Sequence, residues 1–235
     1  MTLKTLKTLR TLKTLRTLKT ARALAIALLI TSGLCAQPRL AAGDLLFMVV
    51  ADTSMAHDLS AAIVQATSPA SALPIDHVAI VCPHRRKFHV IEAIPGKGVR
   101  LCPLDTFLVH ADHTPDGKPL VLVGRIAVSF DKRASLRRAK AYMGRSYDDV
   151  YSPTDDDIYC SELVQKSFVD RKGNLIFSPE PMSFHNADGE VLPYWTEFYS
   201  SRGLPVPEGE PGSNPSALAR HPAVRIIGQF FCESW

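Results

Sequence analysis

The sequence lacks the glycine-rich loops that bind nucleotides, since it contains neither a phosphate-binding loop nor a dinucleotide-binding glycine motif. Cysteine is also scarce: the chain has five cysteines in 235 residues, and their spacing matches no zinc-binding pattern. These absences argue against nucleotide-dependent and zinc-dependent enzymes. We therefore expect a protein that works without a cofactor or a metal ion.

Long apolar runs are missing as well, and the apolar stretch at 23–30 is too short to cross a bilayer comfortably. It follows seven basic residues, most of them in six copies of a Thr-Leu-Lys or Thr-Leu-Arg triplet at 2–19, and it precedes small residues up to Ala36. This order is typical of a secretory signal peptide. We therefore predict a signal peptide at 1–36 and export to the periplasm or the extracellular space. A basic amphipathic anchor and a lipid-modified Cys35 are the alternatives at this end of the chain.

The net charge depends on whether this leader is counted. The whole chain carries 27 basic and 23 acidic residues, but seven of the basic residues precede residue 37. Residues 37–235 therefore carry 20 basic and 23 acidic residues, a net charge of −3. The basic character of the whole chain is thus no evidence for a nucleic-acid partner. We predict a single domain at 37–235, long enough for its own core and without a membrane span.

The stretch at 155–168, which reads DDDIYCSELVQKSF, is the best candidate for a catalytic segment. Leu163, Val164 and Phe168 recur at helical spacing after an acidic run that offers caps, which places Cys160 in the first turn of a helix. Unpaired backbone N–H groups and the helix dipole at this end favour a thiolate and could hold an oxyanion. The alternative is that Cys160 is a small buried apolar residue at a helix start.

Two β-rich segments, 75–82 and 87–94, flank a short polar loop and predict a β-hairpin. A thiol nucleophile needs a base, and the base needs an orienting group, so His77 and Glu92 are the best candidates on these strands. With a four-residue loop the numbers of facing residues sum to 169, and His77 lies directly opposite Glu92. An even sum would place the two side chains on opposite faces. The alternatives are a histidine bound to a backbone carbonyl and a solvated edge carboxylate.

The rest of the chain mixes strands with helices and ends in an extension that is rich in proline and glycine. Further strands are predicted at 45–50, 99–101 and 120–127, and helices at 52–67, 132–143 and 194–201. The extension at 205–215 has too much proline and glycine for regular structure, and we expect it to wrap the surface of the domain.

Other histidines in the sequence offer alternative metal ligands or bases. His110, Asp112 and His113 could suggest a metal, but nothing in their spacing fixes a coordination geometry, so we interpret them as solvated loop residues. His84 and His89 are weaker candidates for the base, because one lies in the hairpin turn and the other faces away from the start of the partner strand.

Four cysteines follow the predicted cleavage site, in a protein expected to enter a compartment that permits disulfides. If Cys160 is the nucleophile, Cys82, Cys102 and Cys232 can form at most one disulfide. The sequence leaves their pairing open.

Several of these segments, in this order, resemble the YiiX-like group in the permuted papain-like branch of the NlpC-type cysteine hydrolases. The matching motifs are IDHVAIV at 75–81, VIEA at 90–93, YCSELV at 159–164, GDLLF at 43–47, GRSYD at 144–148 and PEGEPGSNP at 207–215. The histidine strand precedes the cysteine helix, as in the permuted branch, whereas ordinary papain-like enzymes have the reverse order. The resemblance extends over residues 43–220.

The resemblance implies an α+β fold in which a small antiparallel sheet packs against the helix of the nucleophile. It implies Cys160 as the nucleophile, His77 as the base and Glu92 as the third member of the triad. We also expect Tyr159, directly before the nucleophile, to line the substrate site.

The expected function is thiol-dependent hydrolysis of an amide or peptide bond, and family resemblance indicates cell-wall stem peptides as the substrate. One alternative is an acyl-lipid or ester hydrolase or acyltransferase, because the same branch includes relatives that transfer lipid acyl groups. Another is a non-catalytic papain-like shell that binds a lipid or a peptide. A wide apolar groove beside Cys160 would favour acyl chains, and a narrow polar cleft would favour peptides.

Overall fold

A six-stranded antiparallel sheet forms the centre of the fold. The computed structural model describes residues 38–51, 59–69, 72–153 and 156–231. The strands are β1 (Leu45–Val49), β2 (Ile75–His84), β3 (Lys87–Ile94), β4 (Gly98–Pro103), β5 (Val121–Ile126), β6 (Glu180–Pro181), β7 (Pro211–Gly212) and β8 (Val224–Gln229). The order in the sheet is β4-β3-β2-β1-β5-β8, and β6 and β7 form a separate pair. Every neighbouring pair in the large sheet is antiparallel.

The helices pack on this sheet and around its edges. Within the described residues they are α1 (Leu59–Thr67), α2 (Leu104–His110), α3 (Lys132–Ala141), α4 (Cys160–Ser167), α5 (Pro193–Ser200) and α6 (Pro215–Arg220). Helix α4 packs against β2 and β3, and α3 packs against α4. No helix in this part of the chain is long and apolar enough to cross a membrane.

Both faces of the sheet are buried, which explains the nearly continuous apolar run of β2. Val78 and Ile80 pack into one core together with Leu163 of α4. Ala79 and Val81 point to the other face and pack into a second core. Because side chains alternate along a strand, a strand covered on both faces needs apolar residues at successive positions.

The hairpin between β2 and β3 turns in two residues, and the prediction of a four-residue loop is wrong. Facing residues such as Val81 and Val90 have numbers that sum to 171 and not to 169. The turn residues Arg85 and Arg86 have φ angles of 46° and 65°. Positive φ at both positions fits the type I′ turn, whose twist matches that of the strands. The sum remains odd, so odd-numbered residues of β2 still share a face with even-numbered residues of β3, as predicted.

The sequence did not indicate five elements. Two of them are the two-residue strands β6 and β7, and β7 lies in the extension that was expected to lack regular structure. The other three are α2, α6 and β8. Helix α2 occupies the segment before Asp112 that was expected to be a loop, and α6 and β8 follow the extension. Helices α2 and α6 have seven and six residues, too few to establish a helical period. Strand β8 lies at the sheet edge and shows no alternation of buried and exposed residues. The predicted helix start at 52–58 lies outside the described residues, while α1 ends at Thr67 as expected.

Gly98, at the start of β4, fixes the segment that leads toward the cysteine helix. Its φ is +64°, and a Cβ atom there would overlap the carbonyl oxygen of Arg145. The same carbonyl accepts the N–H of Val99 at 2.9 Å, and the N–H of Gly144 donates to the carbonyl of Val99 at 2.8 Å. The absence of a side chain therefore allows the backbone before Tyr147 to lie directly against β4.

We expect Gly98→Ala to lower the free energy of unfolding by about 2–4 kcal/mol, because it combines a backbone clash with a left-handed φ. Gly96→Ala is the matched control, since Gly96 has a φ of +71° but open space around it. Its expected cost is about 1–2 kcal/mol, from the left-handed conformation alone. Urea unfolding of both variants checks this, and equal losses would contradict the packing role of Gly98.

Candidate active site

Cys160 is the first residue of α4 and is buried, with only 4% of its surface exposed. Tyr159 precedes it as an extended N-cap residue, and the N–H of Tyr159 donates to the carboxylate of Glu162 at 3.4 Å. This contact forms part of a capping box within the helix itself; Asp155 of the acidic run lies outside the described residues. N–H groups in a first turn have no intrahelical acceptor, so α4 presents backbone donors and its positive dipole end beside the thiol.

A β-bulge sets the position of the histidine. His77 pairs with Met48 of β1, but the next pair joins Val49 to Ile75, which leaves Asp76 as the extra residue. Bulges bend a strand and redirect side chains, and they are common beside active sites. As a consequence the consecutive residues Asp76 and His77 both line the cleft at the cysteine.

His77 links the cysteine to a carboxylate. Its imidazole interacts with the Cys160 thiol, which lines the same cleft, and its Nε2 lies 3.1 Å from Oε2 of Glu92. Because Glu92 occupies Nε2, Nδ1 is the ring nitrogen that remains for the thiol. In the observed register Ile94 would face His77, so Glu92 approaches from a diagonal position on the same face and not from directly opposite. The structure thus brings the three predicted residues together.

Arg100 is a further member of this chain of contacts, and the sequence reasoning missed it. It faces Glu92 from β4, and its Nε and Nη2 lie 2.9 and 2.8 Å from Oε1 of Glu92. Each carboxylate oxygen therefore has its own partner, His77 on one and Arg100 on the other. The available signal was an arginine at the centre of the short apolar strand around Val99 and Leu101.

The charged forms of His77 and Glu92 stabilise each other. Burial lowers the pKa of His77, but the interactions with Cys160 and Glu92 outweigh burial and raise that pKa from 6.5 to about 10. Burial raises the pKa of Glu92, but the contacts with His77 and then Arg100 outweigh it and hold the pKa below its usual value of 4.5. At neutral pH the site therefore holds an imidazolium between a carboxylate and the cysteine sulfur.

An apolar pocket opens on one side of Cys160. It has an empty volume of about 490 Å³, its open mouth included. Aromatic residues dominate its wall, and several of them meet edge to face, such as Tyr151 with Trp195 and Phe184 with Trp195. Its apolar lining includes Ile63, Tyr151, Tyr159, Met182, Phe184 and Trp195. This pocket can take an apolar group of the substrate.

A more polar groove opens on the other side and has an empty volume of about 720 Å³. Its acidic, basic and histidine side chains are those of Asp76, His77, Glu92, Lys97, Arg100 and His110. Four residues belong to both clefts, namely Ile63, Asp76, Tyr147 and Cys160. The cysteine therefore lies where the two clefts meet, so a bound substrate can extend to both sides of the bond attacked.

Tyr159 lines the apolar pocket, as predicted for a substrate-site residue, but its hydroxyl is already engaged. The N–H of Ser213 donates to this hydroxyl at 3.0 Å, and the ring meets that of Tyr151 edge to face at 5.1 Å. Tyr159 thus ties the C-terminal extension to the site. The extension does more than cover the surface, because Ser213 and Asn214 form part of the pocket wall.

The other histidines lie apart from the thiol or have local partners. His84 and His89 pack against each other at 5.0 Å near the hairpin turn. His110 ends α2, donates from Nδ1 to the Thr106 carbonyl at 2.6 Å and lines the polar groove. Asp112 accepts the N–H of Ala51 at 2.8 Å. In the described ranges no three histidines, cysteines or acidic residues are grouped as metal ligands.

The structure tests only some of the predictions about the other cysteines and the leader. Cys82, Cys102 and Cys160 are free thiols in the structure. Cys232 and Cys35 lie outside the described residues, as does the predicted signal peptide at 1–36. A disulfide through Cys82 or Cys102 is therefore not formed in the structure, while the predicted leader stays a prediction.

Comparison with known proteins identifies the family. The family model described as "Permuted papain-like amidase enzyme, YaeF/YiiX, C92 family" matches residues 39–228. The chain belongs to the permuted papain-like amidases. This confirms the resemblance and the α+β fold inferred from the order of the histidine and cysteine motifs, with a sheet that has six strands. It also supports a cysteine hydrolase of the papain-like type.

Two relatives of this permuted papain-like amidase illustrate the likeness. The uncharacterized protein YiiX of Escherichia coli (strain K12) is 26% identical over 208 residues, which cover 86% of this chain and 95% of the relative. The crystal structure of metalloprotein yiiX from Escherichia coli O157:H7 superposes with a TM-score of 0.62 at 23% identity, covering 82% of this chain and 98% of that one. At this identity the structural match shows the fold alone.

Proposed function

We propose that the protein is an exported cysteine amidase that cleaves an amide or peptide bond in cell-wall stem peptides. One observation carries the proposal: Cys160, His77 and Glu92 line one cleft, and His77 contacts Glu92 at 3.1 Å, at the point where this cleft meets the apolar pocket. Nucleophile, base and orienting group are the arrangement that thiol-dependent acyl transfer requires. An inert binding shell would not need this chain of contacts.

The proposed reaction proceeds through a thioester. The Cys160 sulfur attacks the scissile carbonyl, and backbone N–H groups at the start of α4, including that of Cys160, stabilise the oxyanion. The imidazolium of His77 gives its Nδ1 proton to the leaving amine. Neutral His77 then removes a proton from water, which attacks the thioester and releases the carboxylic acid and the free thiol. Glu92 holds the imidazole and stabilises its charged form.

The polar groove supports a peptide substrate. Stem peptides carry carboxylates, and Lys97 and His110 line this groove beside the catalytic histidine. Export of the protein is part of the proposal and rests on the leader at 1–36, which would place the enzyme where cell wall is present.

The apolar pocket favours a second candidate, hydrolysis or transfer of an acyl group from a lipid. Its aromatic wall, including Tyr151 and Trp195, suits an acyl chain bound next to Cys160. This candidate uses the same thioester chemistry and differs in the group that enters the pocket.

Incubation with purified muropeptides and, separately, with phospholipid and N-acyl amino acid distinguishes the two candidates. We expect mass spectrometry to show a stem peptide split into an acid and an amine with the gain of one water. Release of fatty acid alone would replace the stem-peptide proposal by the acyl-lipid one. Intact muropeptides in the presence of enzyme with a reactive Cys160 would contradict the proposed substrate.

A further inference from the structure

Helix α3 presents a strongly basic surface. Six basic residues and no acidic one occur between Asp131 and Asp148. Four of them, at positions that recur with the helical period, surround a shallow groove of about 670 Å³ that also contains Leu136. The four are Lys132, Arg133, Arg137 and Lys140. All four are exposed, and none forms an ion pair within the described part of the chain.

The tip of the β2–β3 hairpin is basic as well, and its backbone is unusual. The turn consists of Arg85 and Arg86 and is followed by Lys87, and all three residues are exposed. Both arginines have positive φ, in a turn type that strongly prefers asparagine, aspartate and glycine. Holding two arginines in this conformation is unfavourable, and such retained strain indicates a use for the side chains.

These two groups of basic residues lie on the same side of the sheet. The pair His84–Lys87 lies two positions beyond the pair Cys82–His89, so Lys87 shares a face of the hairpin with Cys82. Cys82 packs in the same core as Ala139 of α3. Burial raises the pKa of the Cys82 thiol, and the charge of Lys140 opposes that rise, which indicates that Lys140 lies nearby. We call the combined surface the basic face; it comprises Arg85, Arg86, Lys87, Lys132, Arg133, Arg137 and Lys140.

The charge composition of the domain shows that this clustering of basic residues is unusual. Residues 37–235 carry a net charge of −3, so a face with seven basic residues is not a consequence of an overall basic domain. An exposed apolar side chain accompanies the charges: Met143, directly after α3, is 44% exposed. Cations together with an exposed apolar group match the interface of an anionic bilayer, whereas a soluble polyanion would not require the apolar group.

We propose that the basic face docks the protein on the phosphate-bearing surface of an anionic phospholipid bilayer. The contact is electrostatic, with Met143 positioned to enter the headgroup region. It requires neither the catalytic residues nor a substrate, so the proposal stands independently of the amidase activity.

Vesicle sedimentation of the full chain tests this docking, with phosphatidylcholine vesicles and with vesicles of phosphatidylcholine and phosphatidylglycerol in equal amounts. Replacing Lys132, Arg133, Arg137 and Lys140 of α3 by glutamine is expected to weaken binding to the anionic vesicles at least about tenfold. The matched control replaces four exposed arginines outside the basic face, namely Arg39, Arg202, Arg220 and Arg225. The control should bind within about twofold of the wild type, because only charges that face the bilayer contribute strongly. Because the leader is present in every variant, differences in vesicle binding between the variants are due to the basic face.

A variant of the hairpin turn separates the loss of charge from a loss of stability. Arg85→Asn with Arg86→Gly suits the type I′ turn better than the native residues, so its melting temperature should equal or exceed that of the wild type. We nevertheless expect weaker binding to anionic vesicles and an unchanged rate of substrate turnover. A merely structural turn would leave binding unchanged.

Three results would overturn the proposal. The first is wild-type binding by both face variants, and the second is equal binding of the wild type to neutral and anionic vesicles. The third is displacement from vesicles by double-stranded DNA at equal phosphate concentration, which would show general recognition of polyanions. Loss of binding in both face variants with retention in the control supports docking on the bilayer.

Discussion

Cys160→Ser is expected to abolish turnover and to leave the fold intact. The change is nearly isosteric, and a hydroxyl at this position is a far weaker nucleophile than the thiol at neutral pH. Loss of the nucleophile of a catalytic triad lowers kcat by on the order of 10⁴–10⁶-fold. Initial rates on any cleaved substrate, together with a melting curve for each protein, provide the measurement.

Cys82→Ala is the control for this prediction. Cys82 is also a buried free thiol, but it faces the core and lines neither cleft at Cys160. We expect this variant to retain its turnover rate at a temperature where it is folded. Full activity of the Cys160→Ser protein would exclude the covalent mechanism.

His77→Ala is expected to lower the rate by about 10²–10⁴-fold, the range that a positioned acid–base group contributes. The variant loses the base and the positive charge beside the thiol together. Glu92→Gln should be milder, because an amide can orient the imidazole but cannot stabilise its charged form. His84→Ala should have little effect, since His84 packs against His89 near the hairpin turn. A Glu92→Gln protein less active than His77→Ala would contradict these roles.

The stability of the wild type and of His77→Ala should depend on pH in different ways. The folded-state pKa of His77 is about 10, raised from 6.5. The stabilisation from the charged imidazole is therefore fully present below pH 6.5 and is lost as the pH rises through about 10. The wild type should lose unfolding free energy relative to His77→Ala across this window. Denaturant unfolding at several pH values measures the difference, and parallel curves would show that His77 does not titrate in this way.

Local sequence patterns predicted the parts of the site that depend on near neighbours. The cysteine helix follows from the spacing of Leu163, Val164 and Phe168, and the hairpin follows from two β-rich runs beside a polar loop. The requirement that His77 and Glu92 share a face predicted an odd register, and this parity survives a change of the loop from four residues to two. The loop length itself depends on the φ angles of Arg85 and Arg86, which residue type does not reveal.

Features that depend on distant residues could not be predicted. The bulge at Asp76 arises from pairing with β1, and Arg100 meets Glu92 only because β4 takes a particular register beside β3. The apolar pocket joins Ile63 of α1, Trp195 of α5 and the extension around Ser213. No local period connects such residues, so the pocket wall emerges only from the three-dimensional structure.

Mass spectrometry after labelling with an electrophilic amide mimic tests the central claim most directly. We predict a single adduct on Cys160 in the wild type, formed much more slowly in His77→Ala and absent from Cys82 and Cys102, which are also free thiols. An adduct on Cys82 or Cys102 in preference to Cys160, or labelling of Cys160 at an unchanged rate without His77, would contradict a nucleophile activated by His77.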